Sequence, residues 1–74
     1  MEFATIEVER ANGIAEIILN RPDKRNALTY EMIDELCAAL KEIAALEDAV
    51  LILRANGSSF CAGHDYEDMT VAFW

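Results

Sequence analysis

The sequence predicts an α/β fold that runs β-β-α-β, and three observations carry that expectation. Residues Phe3 to Glu9 alternate, with Ala4, Ile6 and Val8 set against Thr5, Glu7 and Glu9. An Asn12-Gly13 dipeptide separates them from a second apolar run, Ile14 to Leu19. After a proline-containing loop, Ile33, Leu36, Leu40 and Ile43 recur at helical spacing. Alternation with period two marks a half-buried strand, and a period near 3.6 marks an amphipathic helix.

Each element has a local reason. Asn-Gly favours the tight turn that joins antiparallel strands, so residues from about 3 to 19 are expected to form a hairpin. The second strand is expected to be the more buried. The polar stretch Asn20 to Asn26 holds the only proline. Proline lacks the ladder donor, so this stretch is a loop. Thr29 suits a helix N-cap and Glu31 the first turn, where an acid complements the helix dipole. The helix is expected from about 30 to 46, with Ile33, Leu36, Leu40 and Ile43 facing the core and Cys37 beside them. Ala49 to Leu53 is a short continuous apolar run, as in a strand buried on both faces, expected over about 49 to 54. Asn56 to Ser59 is a turn signal. A loop over 59 to 65 then leads into the start of a second helix over 66 to 74, which Asp65 would cap.

Size and charge narrow the function. A chain of 74 residues is one small domain at most. A lone domain of about this size hides only about 60% of its unfolded surface. Because 54% of the residues are hydrophobic, some apolar surface is expected to need a cover. The net charge of −8 leaves no basic face for nucleic acid. No apolar run is long enough to span a membrane, and the alternating, charged start is not a signal peptide. Two cysteines make no disulfide framework, so both are expected to be free thiols in a reducing, cytoplasmic setting. One feature stands against the acidic background: Arg21, Lys24 and Arg25 gather three of the six bases within five residues.

Two segments resemble a known family. Leu19-Asn20-Arg21-Pro22 with Asn26-Ala27-Leu28 is similar to the crotonase pattern N-R-P-x-x-x-N-A-L. Ser59-Phe60-Cys61-Ala62-Gly63-His64-Asp65 is similar to the F-[small]-A-G-x-D of the same enoyl-CoA hydratase/isomerase superfamily. Their order around a hairpin, a helix and a strand strengthens the resemblance, which runs from about Ile6 to Met69. It covers only the opening portion of the family's domain. The implied fold is the crotonase spiral of ββα units, of which this chain supplies the first unit and the start of the next.

The resemblance also implies a chemistry. The family polarises an acyl-CoA thioester carbonyl with two backbone N–H groups, and His64 by position supplies the first. Gly63 suits that place, because glycine permits a tight turn and close approach of a ligand. CoA and acyl contacts are implied at Arg25, Ala27, Ala62, Gly63, His64, Asp65 and Tyr66, with Arg25 suited to a CoA phosphate. No bound cofactor and no metal are expected, since coenzyme A is part of the substrate. The parent is expected to form a homo-oligomer.

Plainer readings stand beside these. Three loop bases also serve as a solvated face, and Lys24 is left with that role. Cys61-x-x-His64 with Asp65 has too few ligands for zinc. His64 as a side-chain base and Cys61 as a nucleophile lack partners, so backbone donation and packing are preferred. Asp65 reads as a helix cap rather than a catalytic acid. His64 and Tyr66 both depart from the residues commonest in the family. The second oxyanion donor and the proton-moving groups have no counterpart before Trp74, and Glu67 and Asp68 do not match them. The expectation is therefore the front piece of an enoyl-CoA hydratase/isomerase, inactive by itself. The alternative is a non-catalytic truncated homologue acting as an assembly or acyl-CoA-binding module.

Overall fold

The computed structural model describes residues 3–45, 50–63 and 65. Strand β1 (Ile6–Ala11) pairs antiparallel with β2 (Ile14–Leu19), and β3 (Val50–Ala55) lies parallel to β2 on its other side. Helix α1 (Tyr30–Ala44) makes the crossover that a parallel pair requires. The register Ala11↔Ile14 leaves Asn12 and Gly13 as a two-residue turn. Both have positive φ, 54° and 78°, the conformation that Asn-Gly adopts with least strain. The expected second helix, over 66 to 74, lies outside the described residues, as do positions 46 and 49 at the expected helix and strand ends.

One face of the hairpin carries the core. Ile6, Ile17 and Leu19 are buried against Met32 and Ala39 of α1, with Val8, Leu36 and Ile43 packed at the margin. Thr29 is extended, and its hydroxyl accepts the Met32 N–H at 3.1 Å, which starts the helix.

The helix is rotated from the orientation the sequence suggests. The stripe facing the sheet is Met32, Leu36, Ala39 and Ile43, while Leu40 is exposed. At about 100° per residue these four fall within a narrow arc, and Leu40 stands about 80° away from Met32. The orienting contact is polar. Glu35 accepts the Ala4 N–H and the Thr5 N–H, each at 2.8 Å, and also the Thr5 hydroxyl. This carboxylate ties the helix to the chain just ahead of β1. Cys37, expected in the core, is exposed instead. It lies about 140° around the helix from Met32.

Strand β3 departs from expectation more sharply. Val50, Leu51, Ile52 and Leu53 were expected to be buried on both faces, but they are 39–50% exposed. Among the described residues β3 pairs only with β2. The helix packs over the hairpin, so among the described residues neither face of β3 is covered. On the face away from α1, Arg54 reaches Glu16 at 3.3 Å and Glu9 at 3.8 Å, relieving the like charges that the register sets opposite each other.

Candidate functional site

The site is built on the loop that leaves β2. Pro22–Lys24 form a single 3₁₀ turn, closed by Lys24 N–H to Arg21 C=O at 3.0 Å and Arg25 N–H to Pro22 C=O at 3.2 Å. Arg25 and Asn26 then take left-handed φ values of 51° and 55°. Such values cost an ordinary residue about 1–2 kcal/mol, and asparagine less. Asn26 is wholly buried and uses its entire side-chain amide. Its Oδ1 accepts the Arg21 N–H at 2.7 Å, and its Nδ2 donates to the Asn56 and Ser59 carbonyls at 2.8 and 2.9 Å. One side chain thereby clips the loop after β2 to the loop after β3. Asn56 reinforces the clip through Nδ2 to the Asn20 Oδ1 at 3.0 Å.

The two loops come together as a short parallel ladder. Ala62 N–H donates to Arg25 C=O at 3.0 Å, Leu28 N–H to Gly63 C=O at 2.7 Å, and Asp65 N–H to Leu28 C=O at 2.8 Å. Gly63 has φ 93°, and among the described residues a Cβ placed there would meet nothing within 4 Å. Its N–H lies 3.4 Å from the Cys61 Sγ. Cys61 itself is half-buried against the core, which agrees with a packing role.

Arg21 bridges the ladder. One arm of its guanidinium donates to the Ala27 carbonyl, and the other meets the Asp65 carboxylate at 3.2 Å. The two side chains are 19% and 16% exposed, so the pair is only partly screened. A hydrogen bond to a charged group in such a place contributes about 1–2 kcal/mol. The cluster of three loop bases therefore divides: Arg21 is turned inward, while Lys24 and Arg25 are exposed.

Of the residues singled out from the sequence, Arg25, Ala27, Ala62, Gly63 and Asp65 lie on the two strands of this ladder or beside it. His64 and Tyr66 lie outside the described residues. The Asp65 carboxylate faces Arg21, a partner 44 residues away in sequence that inspection of the Asp65 neighbourhood does not reveal. The buried clip at Asn26 and the close approach at Gly57 were also not foreseen. A Cβ at Gly57 would stand 2.8 Å from the Pro22 Cβ, and Gly57 has φ 94°. The Asn56-Gly57 turn signal located that glycine without indicating its neighbour.

An antiparallel hairpin, a crossover helix, a parallel strand and a glycine loop laddered to the helix entrance make up the opening unit of the crotonase fold. The profile of the enoyl-CoA hydratase/isomerase family matches residues 9–72, and the chain belongs to that family. It is 35% identical over 68 residues to enoyl-CoA delta isomerase 2 of Homo sapiens, covering 92% of this chain and 17% of the relative. It is 44% identical over 70 residues to hydroxycinnamoyl-CoA hydratase-lyase of Pseudomonas fluorescens, covering 89% and 24%. An enoyl-CoA hydratase/isomerase from Mycobacterium paratuberculosis superposes with a TM-score of 0.87 at 39% identity, over 92% of this chain and 26% of that one. An enoyl-CoA hydratase from Shewanella pealeana gives a TM-score of 0.89 at 32% identity, over 95% and 27%. The chain thus spans about a quarter of these structures' length, and the match falls on the N-terminal portion of the parent proteins.

Proposed function

We propose that this chain forms the front wall of an acyl-CoA site in an enzyme of the enoyl-CoA hydratase/isomerase type. In that site the main-chain N–H following Gly63 stabilises the oxyanion of a thioester enolate. A CoA thioester is the substrate class supported by relatives whose names specify an enoyl-CoA isomerase and a hydroxycinnamoyl-CoA hydratase-lyase. The observation that carries the proposal is Gly63. It is exposed, among the described residues nothing stands where its side chain would begin, and its carbonyl is held by Leu28. By its place in the glycine motif the His64 N–H is assigned the donor role, with no function asked of the imidazole. Loss of one such donor typically lowers a rate by about 10²–10³.

The CoA contacts follow the ladder. Arg25 is exposed, and its own carbonyl binds Ala62 N–H, which sets residue 25 beside the glycine loop. A guanidinium there suits a CoA phosphate through charge-assisted hydrogen bonds. Ala27, Ala62, Asp65 and Tyr66 are assigned to the same wall. The proton-moving groups are assigned to the portion of the parent that this chain does not match. Calorimetric titration with crotonyl-CoA tests the proposal. Saturable binding is expected, and no heat at millimolar ligand overturns it.

The exposure of β3 favours a second reading, a non-catalytic assembly module whose uncovered strand docks on a partner. Sedimentation separates the two: a mass above the monomer supports assembly, and a folded monomer with no partner opposes it.

A further inference from the structure

We propose that Arg21 and Asp65 are positioning residues for the oxyanion amide, acting as a charged staple across the ladder that carries it. The inference rests on the oxyanion role assigned above and adds the pair of side chains that aims the donor. Its basis is geometric. The two residues flanking position 64 both bond Leu28: Gly63 C=O accepts at 2.7 Å and Asp65 N–H donates at 2.8 Å. A third hydrogen bond, Ala62 N–H to Arg25 C=O at 3.0 Å, holds the chain just before Gly63. Arg21 adds a side-chain tie across the same ladder. Its guanidinium grips the Ala27 carbonyl on one strand of the ladder and the Asp65 carboxylate on the other, at 3.2 Å.

The anchor of the staple is itself fixed. Arg21 N–H donates to the buried Asn26 Oδ1 at 2.7 Å, and Arg21 C=O accepts from Lys24 and Asn26 at 3.0 and 2.8 Å. The fork is what the geometry needs. Arginine offers several donors in one rigid plane, whereas lysine is a single point charge that serves one acceptor well. An oxyanion donor is effective only when it is held in place before charge develops, so a small loosening reduces its effect on the reacting carbonyl.

The test compares two probes, crotonyl-CoA and free CoA, bound to the whole chain and to its Asp65→Asn and Arg21→Lys variants. The two probes share every contact except those to the acyl thioester. Their affinity ratio therefore reads the oxyanion site, while a general loss of structure weakens both together. The expected result is that each variant loses about tenfold more affinity for crotonyl-CoA than for free CoA, so that the crotonyl-CoA to CoA ratio falls about tenfold whatever the change in free-CoA binding. An unchanged ratio in both variants overturns the positioning role and leaves the oxyanion reading standing. A parent chain that binds the two probes equally overturns the oxyanion reading, and the positioning role with it. Amide resonances of Ile17 and Met32 report the core. Their collapse in Asp65→Asn would make the pair a fold determinant and overturn the proposal as well.

Discussion

Replacing Asn26 by alanine removes the clip on which the site is built, and the structure allows the cost to be estimated. The side chain makes three hydrogen bonds of 2.7 to 2.9 Å from a fully buried position. At about 1 kcal/mol each their loss amounts to about 3 kcal/mol, since Arg21 N–H and two carbonyls are left without this partner. The left-handed φ of 55° adds about 1 kcal/mol for alanine, which lacks asparagine's tolerance of that region. The expected total is about 4 kcal/mol, a large share of the roughly 4–11 kcal/mol that a chain of this length commands. Asn26→Gly keeps the backbone freedom and should cost about 1 kcal/mol less than alanine. Asn26→Asp keeps the acceptor for Arg21 but turns a charged oxygen toward the Asn56 and Ser59 carbonyls, so its deficit should shrink as pH falls. Urea unfolding followed by far-UV circular dichroism measures all three. With a slope of about 1 kcal/mol/M, Asn26→Ala should lower the midpoint by several molar or leave the chain unfolded in buffer. A midpoint within about 0.5 M of the parent would refute the reasoning.

Three further outcomes are expected. Gly57→Ala sets a Cβ 2.8 Å from the Pro22 Cβ at φ 94°, and should destabilise by about 2 kcal/mol in the same unfolding assay; a neutral result would mean that the two loops separate freely. Burial pushes the Glu35 carboxyl up, but the Thr5 hydroxyl and the Ala4 and Thr5 N–H groups outweigh it and hold it below the ordinary carboxylate value. The unfolded chain therefore takes up this proton first on acidification, so the stabilisation is complete above the ordinary value and lost as pH falls through the lowered one. Glu35→Gln should flatten that acid limb of the stability–pH curve, and an unaltered limb would contradict the tether. Gly63→Val combines strain at φ 93° with a side chain in the open approach, and should abolish crotonyl-CoA binding measured by calorimetry while leaving the hairpin resonances in place.

Local chemistry made much of the fold legible before the structure. Asn12-Gly13 announced the hairpin because its turn requires two positive φ values in succession. Thr29 announced the helix start because its hydroxyl can satisfy a free amide of the first turn. What stayed hidden depends on partners distant in sequence. The helix rotation follows from Glu35 meeting Ala4 and Thr5, so the apolar periodicity alone pointed to Ile33 and Leu40 instead of Met32 and Ala39. The apolar run in β3 signals burial, but the cover it calls for is not supplied by α1, which packs on the hairpin. At the site, the glycine loop and its motif were readable, whereas the Arg21–Asp65 staple spans 44 residues and the Asn26 clip spans 30 and 33. No residue near either one marks its partner.

The vibrational frequency of a bound thioester carbonyl tests the oxyanion role most directly. Crotonyl-CoA carrying ¹³C at that carbonyl, followed by isotope-edited infrared difference spectroscopy on binding, reports whether a donor polarises it. A shift to lower frequency is the expected result, reduced in Asp65→Asn. A bound carbonyl that absorbs where it does in water-free, donor-free solvent would contradict a main-chain N–H acting beyond Gly63.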